Sequence, residues 1–436
     1  MLFKAGCIAL LCCITGVGSG QVRPDIIYIM ADDLGWADLS CYGNKEVHTP
    51  NLDRLARGGM KFTSAYAAAP VCTPTRAAFM TGRYPARIAV GLREPLDQVR
   101  EDSLVGLTHD QPSLPSLLKK SGYTTQLVGK WHLGFLPQYG PLANGFDGFY
   151  GYLGGAIDYV SHTDPFGNID LYNNYRIENR KGYMTDILAD QAISFINRKQ
   201  EKPFFLSLQF SAPHWPWQAP GDTVYPKGYK AWKEGGSKQV YTKMVERMDS
   251  LIGKIIDAVE KQGRAKNTVI IFTSDNGGEQ YSNMGGLKQK KMVLWEGGVR
   301  VPAILYWPGK ISPGTVTDQP VITMDWTATI LALAGAQPDP AFPLDGMDIM
   351  PIIKDGAGQK ERTFYWRVFQ RQQQKAIRQG EWKYLGTADG EFLFNIEADP
   401  FETNDLKQIH PAKFEELKRK YSAWETTMLK PVPLPR

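Results

Sequence analysis

"DIIYIMADDLGW", residues 25–36, runs an apolar, isoleucine-rich stretch straight into two adjacent carboxylates, Asp32 and Asp33. An uninterrupted apolar run of this length reads as a buried strand. The same reading extends to "TTQLV" (124–128), "FFLSLQF" (204–210), "TVIIFT" (268–273) and "VPAILYW" (301–307). Between them lie helical segments: "NLDRLARGG" (51–59), "SLPSLLKKSG" (113–122), "MTDILADQAISFINRK" (184–199), "YTKMVERMDSLIGKIIDAVEKQG" (241–263) and "TATILALAG" (327–335). In the longest, Met244, Val245, Met248, Leu251, Ile252, Ile255 and Ile256 form a stripe at helical spacing, and Gly263 is a stop signal. This alternation predicts an α/β fold, a large and mostly parallel sheet sandwiched by helices. The prominent polar residues follow strand ends: Asp32 and Asp33, Lys130 and His132, His214, and Asp275 with Asn276. Open α/β sheets bind ligands at the carboxyl edge of their strands, so these distant segments should meet on one rim.

Past residue 335 the pattern changes. A Pro/Gly/Asp-rich stretch, "AQPDPAFPLDGMD", reads as a linker, and short strands follow in "RTFYWRVF", "KAIRQGEWKYL" and "EFLFNI". A closing helix, "PAKFEELKRKYSAWETTM", completes a small antiparallel-sheet subdomain. The expected division is a catalytic domain over 21–340, a linker over 341–360 and a C-terminal α+β subdomain over 361–436. Residues 1–20, "MLFKAGCIALLCCITGVGSG", read as a cleaved secretory signal: Lys4, an apolar run from Cys7 to Val17, then small residues. No stretch has the length of a membrane helix, so the expectation is a secreted or periplasmic protein without an integral membrane segment. The 436 residues are 43% hydrophobic and 22% charged, as in a soluble globular chain. The net charge of +5 is spread along the sequence. No nucleic-acid-binding pattern is present, and the balance suits an anionic substrate.

Three of the five cysteines, Cys7, Cys12 and Cys13, fall in the signal, which leaves Cys41 and Cys72. Either the two form a disulfide, as exported proteins favour, or Cys72 has a chemical task. Two carboxylates side by side at a strand end cap a turn or share a cation. Asp32, Asp33, Asp275 and Asn276 together offer hard oxygen ligands, which suit Ca²⁺ or Mg²⁺ rather than zinc. Arg76, Lys130, His132, His214 and a lysine of "LKQKKMVLWEGG" can surround a tetrahedral oxyanion. A divalent cation beside a cationic cradle is equipment for displacement at phosphorus or sulfur.

At this point the residues resemble a family. "PVCTPTRAAFMTG" (70–82) looks like the first sulfatase signature, Cys(or Ser)-x-Pro-x-Arg with a following Thr-Gly, and "GYTTQLVGKWH" (122–132) is similar to the second. "DD", "PHWPW" (213–217), "SDNGG" (274–278), "WEGGVRVP" (295–302) and "LFNIEADPFETNDL" (393–406) agree in order and spacing. The resemblance implies an alkaline-phosphatase-like fold. It implies oxidation of Cys72 to formylglycine by a maturation enzyme, so that no thiol remains for Cys41. It also implies a cation on Asp32, Asp33, Asp275, Asn276 and residue 72. The hydrated aldehyde, a geminal diol, would attack the sulfur of a sulfate ester and then expel sulfate by elimination. Arg76 and Lys130 would hold the diol, and His132 would be the base for expulsion. His214 and Lys291 would contact sulfate and protonate the departing oxygen. Lys291 is preferred to Lys288 and Lys290 because it stands five residues before Glu296. Gln289 and Lys290 depart from the family pattern there, where glycines are common. Pro74 suits the first turn of a helix, so residue 72 should open one.

"GGAIDYVSH" (154–162) and "HWPWQ" (214–218) bring Asp158, His162 and Trp215 forward as substrate contacts, beside Lys130, His214 and Lys291. These aromatic and polar groups either grip a sugar ring or pack the domain. A sulfated carbohydrate is the expected substrate. The alternatives are a phosphate or phosphonate ester hydrolase, and an inactive binder of sulfated glycan.

Overall fold

A computed structural model describes residues 23–97, 104–354 and 361–433. The signal reading over 1–20 and residues 355–360 of the expected linker lie outside them. Strand β1 (Asp25–Ala31) takes the middle of an 11-stranded sheet. The others are β2 (Met60–Tyr66), β3 (Thr124–Lys130), β4 (Gly148–Tyr152), β5 (Tyr172–Asn173), β6 (Arg176–Ile177), β7 (Phe204–Gln209), β8 (Thr268–Ser274), β9 (Arg300–Tyr306), β10 (Thr315–Thr317) and β11 (Val321–Ile322). The order is β10-β2-β9-β8-β1-β7-β3-β4-β5-β6, with β11 also on β2. The central strands β8, β1, β7, β3 and β4 are parallel, whereas β9 runs antiparallel to both β8 and β2.

Side chains of β1 alternate between two cores. Ile27, Ile29 and Ala31 pack under helices α1 (Pro50–Gly58), α4 (Met184–Asn197) and α6 (Lys238–Lys261). Ile26, Tyr28 and Met30 face α2 (Cys72–Thr81), α3 (Leu114–Lys120) and α8 (Thr323–Ala334). The stripe from Met244 to Ile256 is the buried face of α6. Helix α5 (Tyr229–Glu234) and the one-turn α7 (Glu296–Val299) lie in the loops beyond the sheet's carboxyl edge. The stretch read as a linker carries a further turn, α9 (Met350–Lys354), because Ile349 and Met350 sink into the second core.

Strands β12 (Thr363–Val368), β13 (Gln374–Gln379), β14 (Trp382–Thr387) and β15 (Gly390–Asn395) make a separate antiparallel sheet, with α10 (Pro411–Glu425) against it. One face of this sheet joins the main body. Phe364, Trp366 and Phe394 share a core with Tyr66, Ala78 and Trp295, and the Trp366 indole donates to the Ala67 carbonyl at 2.9 Å.

Candidate active site

Register brings the site together. Ala31 of β1 lies opposite Ser274 of β8, and Met30 opposite Gln209 of β7, so the residues that follow these strands emerge level with one another. The Asp275 amide donates to the Ala31 carbonyl at 3.2 Å and the Asp32 amide to Ala212 at 3.1 Å, which extends the parallel ladder one step past its strands. Asp33 (φ 65°) and His132 (φ 55°) occupy the left-handed region that favours glycine, a strain found where side chains must be aimed.

Around this rim the charges interlock. Lys130 Nζ lies 2.7 Å from Asp32 Oδ2. Arg76 donates from Nη2 and Nε to Asp275 Oδ2 at 2.8 and 3.1 Å, approaches Asp32 at 3.5 Å, and donates from Nη1 to Gln209 at 3.0 Å. Lys291 Nζ is 2.6 Å from Asp33 Oδ2, and Asn276 Nδ2 donates to Asp33 Oδ1 at 2.7 Å. Burial would raise the Asp33 carboxyl, but Lys291, His214 and Lys130 together hold it well below the ordinary range. Asp275, whose burial is reinforced by the charge of Asp32, is pushed up to about 6. Burial lowers Lys291 less than Asp33 and Glu279 raise it, so its ammonium is held firmly protonated.

Cys72 is the first residue of α2, with Pro74 in the first turn where no amide is needed. It is 2% exposed and lies within the electrostatic reach of Lys130, Lys291, Asp275 and Asp32; burial pushes its thiol up. Both Cys72 and Cys41 are free. His132 lies in the same pocket, its Nε2 2.8 Å from the Leu96 carbonyl and its Nδ1, among the described residues, without a hydrogen-bond partner. A carbonyl only accepts, so Nε2 carries the proton and Nδ1 presents a lone pair. Burial and Lys130 keep the ring neutral. His214 Nδ1 is 2.6 Å from the Trp215 carbonyl, and Nε2 faces Asp33 Oδ2 at 3.5 Å.

Among the described residues, two buried oxygens of the site, Asp32 Oδ1 and Asn276 Oδ1, have no hydrogen-bond partner. Asp32, Asp33 and His214 each direct a ligand atom to within 4.8 Å of the others. Buried, unpartnered hard oxygens beside such a group of ligand atoms fit a divalent cation.

The rim opens into a pocket of about 410 Å³ lined by Cys72, His132, His214, Trp215, Glu279 and Lys291. Asp158 and His162 do not line it. Asp158 accepts the amides of Val160, Ser161 and Tyr225 and the side chain of Gln218, and His162 Nε2 pairs with the Gly182 carbonyl; both hold the 158–182 loop in shape. The sequence reading did not include Gln209, a polar residue at the end of an apolar strand and so legible in hindsight. It also passed over Lys233, Arg371 and Gln372, which line the pocket from α5 and from the β12–β13 turn and carry no motif.

Comparison with known proteins identifies the family. Residues 24–336 match the family model described as Sulfatase, and residues 286–424 match N-sulphoglucosamine sulphohydrolase, C-terminal. N-acetylgalactosamine-6-sulfatase of Canis lupus familiaris is 35% identical over 380 residues, covering 81% of this chain and 70% of that protein. Arylsulfatase J of Mus musculus is 32% identical, covering 94% and 77%. The crystal structure of Ps i-CgsB superposes with a TM-score of 0.85 at 34% identity, covering 94% of each chain, and it has also been solved in complex with k-i-k-neocarrahexaose. The chain belongs to the sulfatase family, enzymes that hydrolyse sulfuric esters on an alkaline-phosphatase-like fold.

Proposed function

We propose that the protein is an exported sulfatase acting on sulfate monoesters of a sulfated carbohydrate, with aryl sulfates as artificial substrates. It works with residue 72 as formylglycine, made by a maturation enzyme, and with Ca²⁺ or Mg²⁺. The observation that carries this reading is the placement of Cys72 at the start of α2, between the carboxylate cluster and the pocket. Asp32, Asp33, Asp275, Asn276 and residue 72 would hold the cation. When present, the two groups supply a two-hydroxyl nucleophile and the positive charge that makes it acidic.

The chain's own residues supply the rest. Arg76 and Lys130, fixed on Asp275 and Asp32, orient residue 72 and balance the negative charge around it. His132 Nδ1 accepts the proton released as sulfate leaves. Lys291 and His214, on the pocket side of Asp33, contact the sulfate oxygens, and the protonated Lys291 returns a proton to the departing alcohol. Trp215 offers an aromatic wall to a sugar ring. That Ps i-CgsB has been solved with k-i-k-neocarrahexaose supports a carbohydrate rather than a small aryl ester as the natural substrate.

Paired rates on nitrophenyl sulfate and nitrophenyl phosphate test the reading. Sulfate should turn over faster, and Cys72→Ala should lower turnover on the order of a thousandfold or more. In active protein the peptide holding residue 72 should be lighter by roughly 18 Da than its cysteine form. Faster phosphate hydrolysis would favour a phosphate or phosphonate esterase. Glycan binding without any turnover would favour an inactive binder.

A further inference from the structure

The pocket is larger than its chemistry needs. About 410 Å³ lies in the range of sites for whole small molecules, roughly 300–1,000 Å³, far beyond what one sulfate group fills. Its outer wall carries two cations not used in hydrolysis, Lys233 on α5 and Arg371 on the β12–β13 turn. Among the described residues neither has a carboxylate at salt-bridge distance. Lys233 instead stands over the Trp215 ring, its Nζ 5.0 Å from the centroid. The two acids of the wall are otherwise engaged. Asp97 accepts the Tyr229 hydroxyl at 2.8 Å, and Glu279 faces Lys291 at 3.9 Å.

The wall is also held in place. Glu94, itself buried, accepts the amides of Phe369 and Gln370 at 2.7 and 2.8 Å, while its own amide donates to the Gln370 side chain at 2.7 Å. The Gln374 amide closes the turn onto the Gln372 carbonyl at 2.9 Å, and the Gln374 side chain accepts the Leu294 amide at 2.7 Å. Arg371 therefore stands on a backbone clamped on both sides. It lines the same pocket as Tyr229 and Lys233 of α5. Burial lowers the Lys233 ammonium, Glu279 and Asp97 oppose this, and Lys291 and Arg371 lower it further. Two cations on one pocket wall, neither of them in an ion pair among the described residues, offer an anion site to a bound ligand.

We infer that Lys233 and Arg371 form a second anion site, and that the substrate carries a further negative substituent, a second sulfate or a carboxylate, on the part of the glycan that reaches this outer wall. This rests on the pocket being the sulfatase site and names the class of glycan it takes: polyanionic, with its second charge held outside the reacting centre.

Equilibrium binding by calorimetry, on the Cys72→Ala protein so that no ligand is consumed, separates this from the hydrolytic reading. Three probes suffice: a neutral monosulfated disaccharide, a monosulfated disaccharide with a uronate carboxylate, and a disulfated disaccharide. A dianionic probe should bind at least about tenfold more tightly than the neutral monosulfated one. In Lys233→Ala/Arg371→Ala the ratio should fall to within about threefold, while Arg371→Lys should restore part of it. Preference for the disulfated probe alone identifies the second group as sulfate; equal preference for both dianions identifies any anion. A wild-type ratio near one, or a full ratio in the double variant, overturns the inference even if nitrophenyl sulfate is hydrolysed. Failure to hydrolyse nitrophenyl sulfate overturns the catalytic reading and leaves this ratio to be judged on its own.

Discussion

His132 shows how narrowly a single side chain is set. Its Nε2 is tied to Leu96, its backbone is held at a positive φ, and Gly155 packs directly against the ring. A Cβ at position 155 would lie 2.7 Å from Cε1 and 2.8 Å from Nε2, too close for either atom. The ring can yield only by shifting Nε2 off the Leu96 carbonyl, which carries Nδ1 out of place with it. Gly155→Ala should therefore lower kcat on nitrophenyl sulfate by about ten- to a hundredfold. Thermal melting should show the fold retained, and a kcat near that of wild type would remove His132 from the proton path. Lys291 was reached in the sequence through its spacing from Glu296 alone, and its Nζ does lie on Asp33. Asp158 and His162 were open in the sequence to either role, substrate contact or packing. Nothing in a string of letters distinguishes a buried polar group that shapes a loop from one that faces a ligand.

At the scale of elements, the loop after β1 is tied to α6 and to the segment around Asn283 by one buried acid. Asp38 accepts the Gly35 amide at 2.7 Å, the Asn283 amide at 2.8 Å and the Tyr241 hydroxyl at 2.5 Å. Burial pushes its carboxyl up to about 6 despite those donors and the nearby charge of Lys238. A raised carboxyl keeps its proton in the folded state while the unfolded chain, near 3.8, has lost it. Its contribution is thus fully present below about pH 4 and declines as pH rises to about 6. The stability gap between wild type and Asp38→Asn, from urea unfolding, should shrink by on the order of 1–3 kcal/mol across that interval. A gap independent of pH would place the Asp38 titration elsewhere. Strands were legible where apolar runs ended in polar residues, as in β1, β3, β7 and β8. Strands β2 and β4, "MKFTSAY" and "GFYGY", were not read, because polar and glycine residues interrupt them and their burial comes from the sheet. The antiparallel entry of β9 leaves no local mark either, since direction is fixed by what a strand pairs with.

For the molecule as a whole, the C-terminal sheet is attached through a buried ionic knot. Lys383 of β14 lies 2.9 Å from Glu296 and 2.8 Å from Glu402, all three fully enclosed. Glu402 also accepts the Glu296 amide at 2.7 Å, and its carbonyl takes Lys288 at 3.2 Å. Glu296 opens α7, and the Gly297 amide bonds back to Lys288, three residues before Lys291. Lys383→Met would leave two carboxylates buried beside each other without their ammonium. It should cost about 3–5 kcal/mol in chemical denaturation, and a loss under about 1 kcal/mol would mean that Arg300 and Arg378 already carry the charge balance. The α/β class and the separate antiparallel tail could be read from periodicity. That the tail supplies part of the pocket wall could not, because a polar turn such as 369–373 looks like any surface loop until its neighbours are known.

Cys72 is 2% exposed at the floor of the pocket, and part of that pocket's wall is made of chain synthesised some three hundred positions later. If the proposed conversion of residue 72 takes place, the enzyme that makes it must reach this thiol while the polypeptide is still open. The history of one atom would then be decided before the molecule has acquired the shape in which it works.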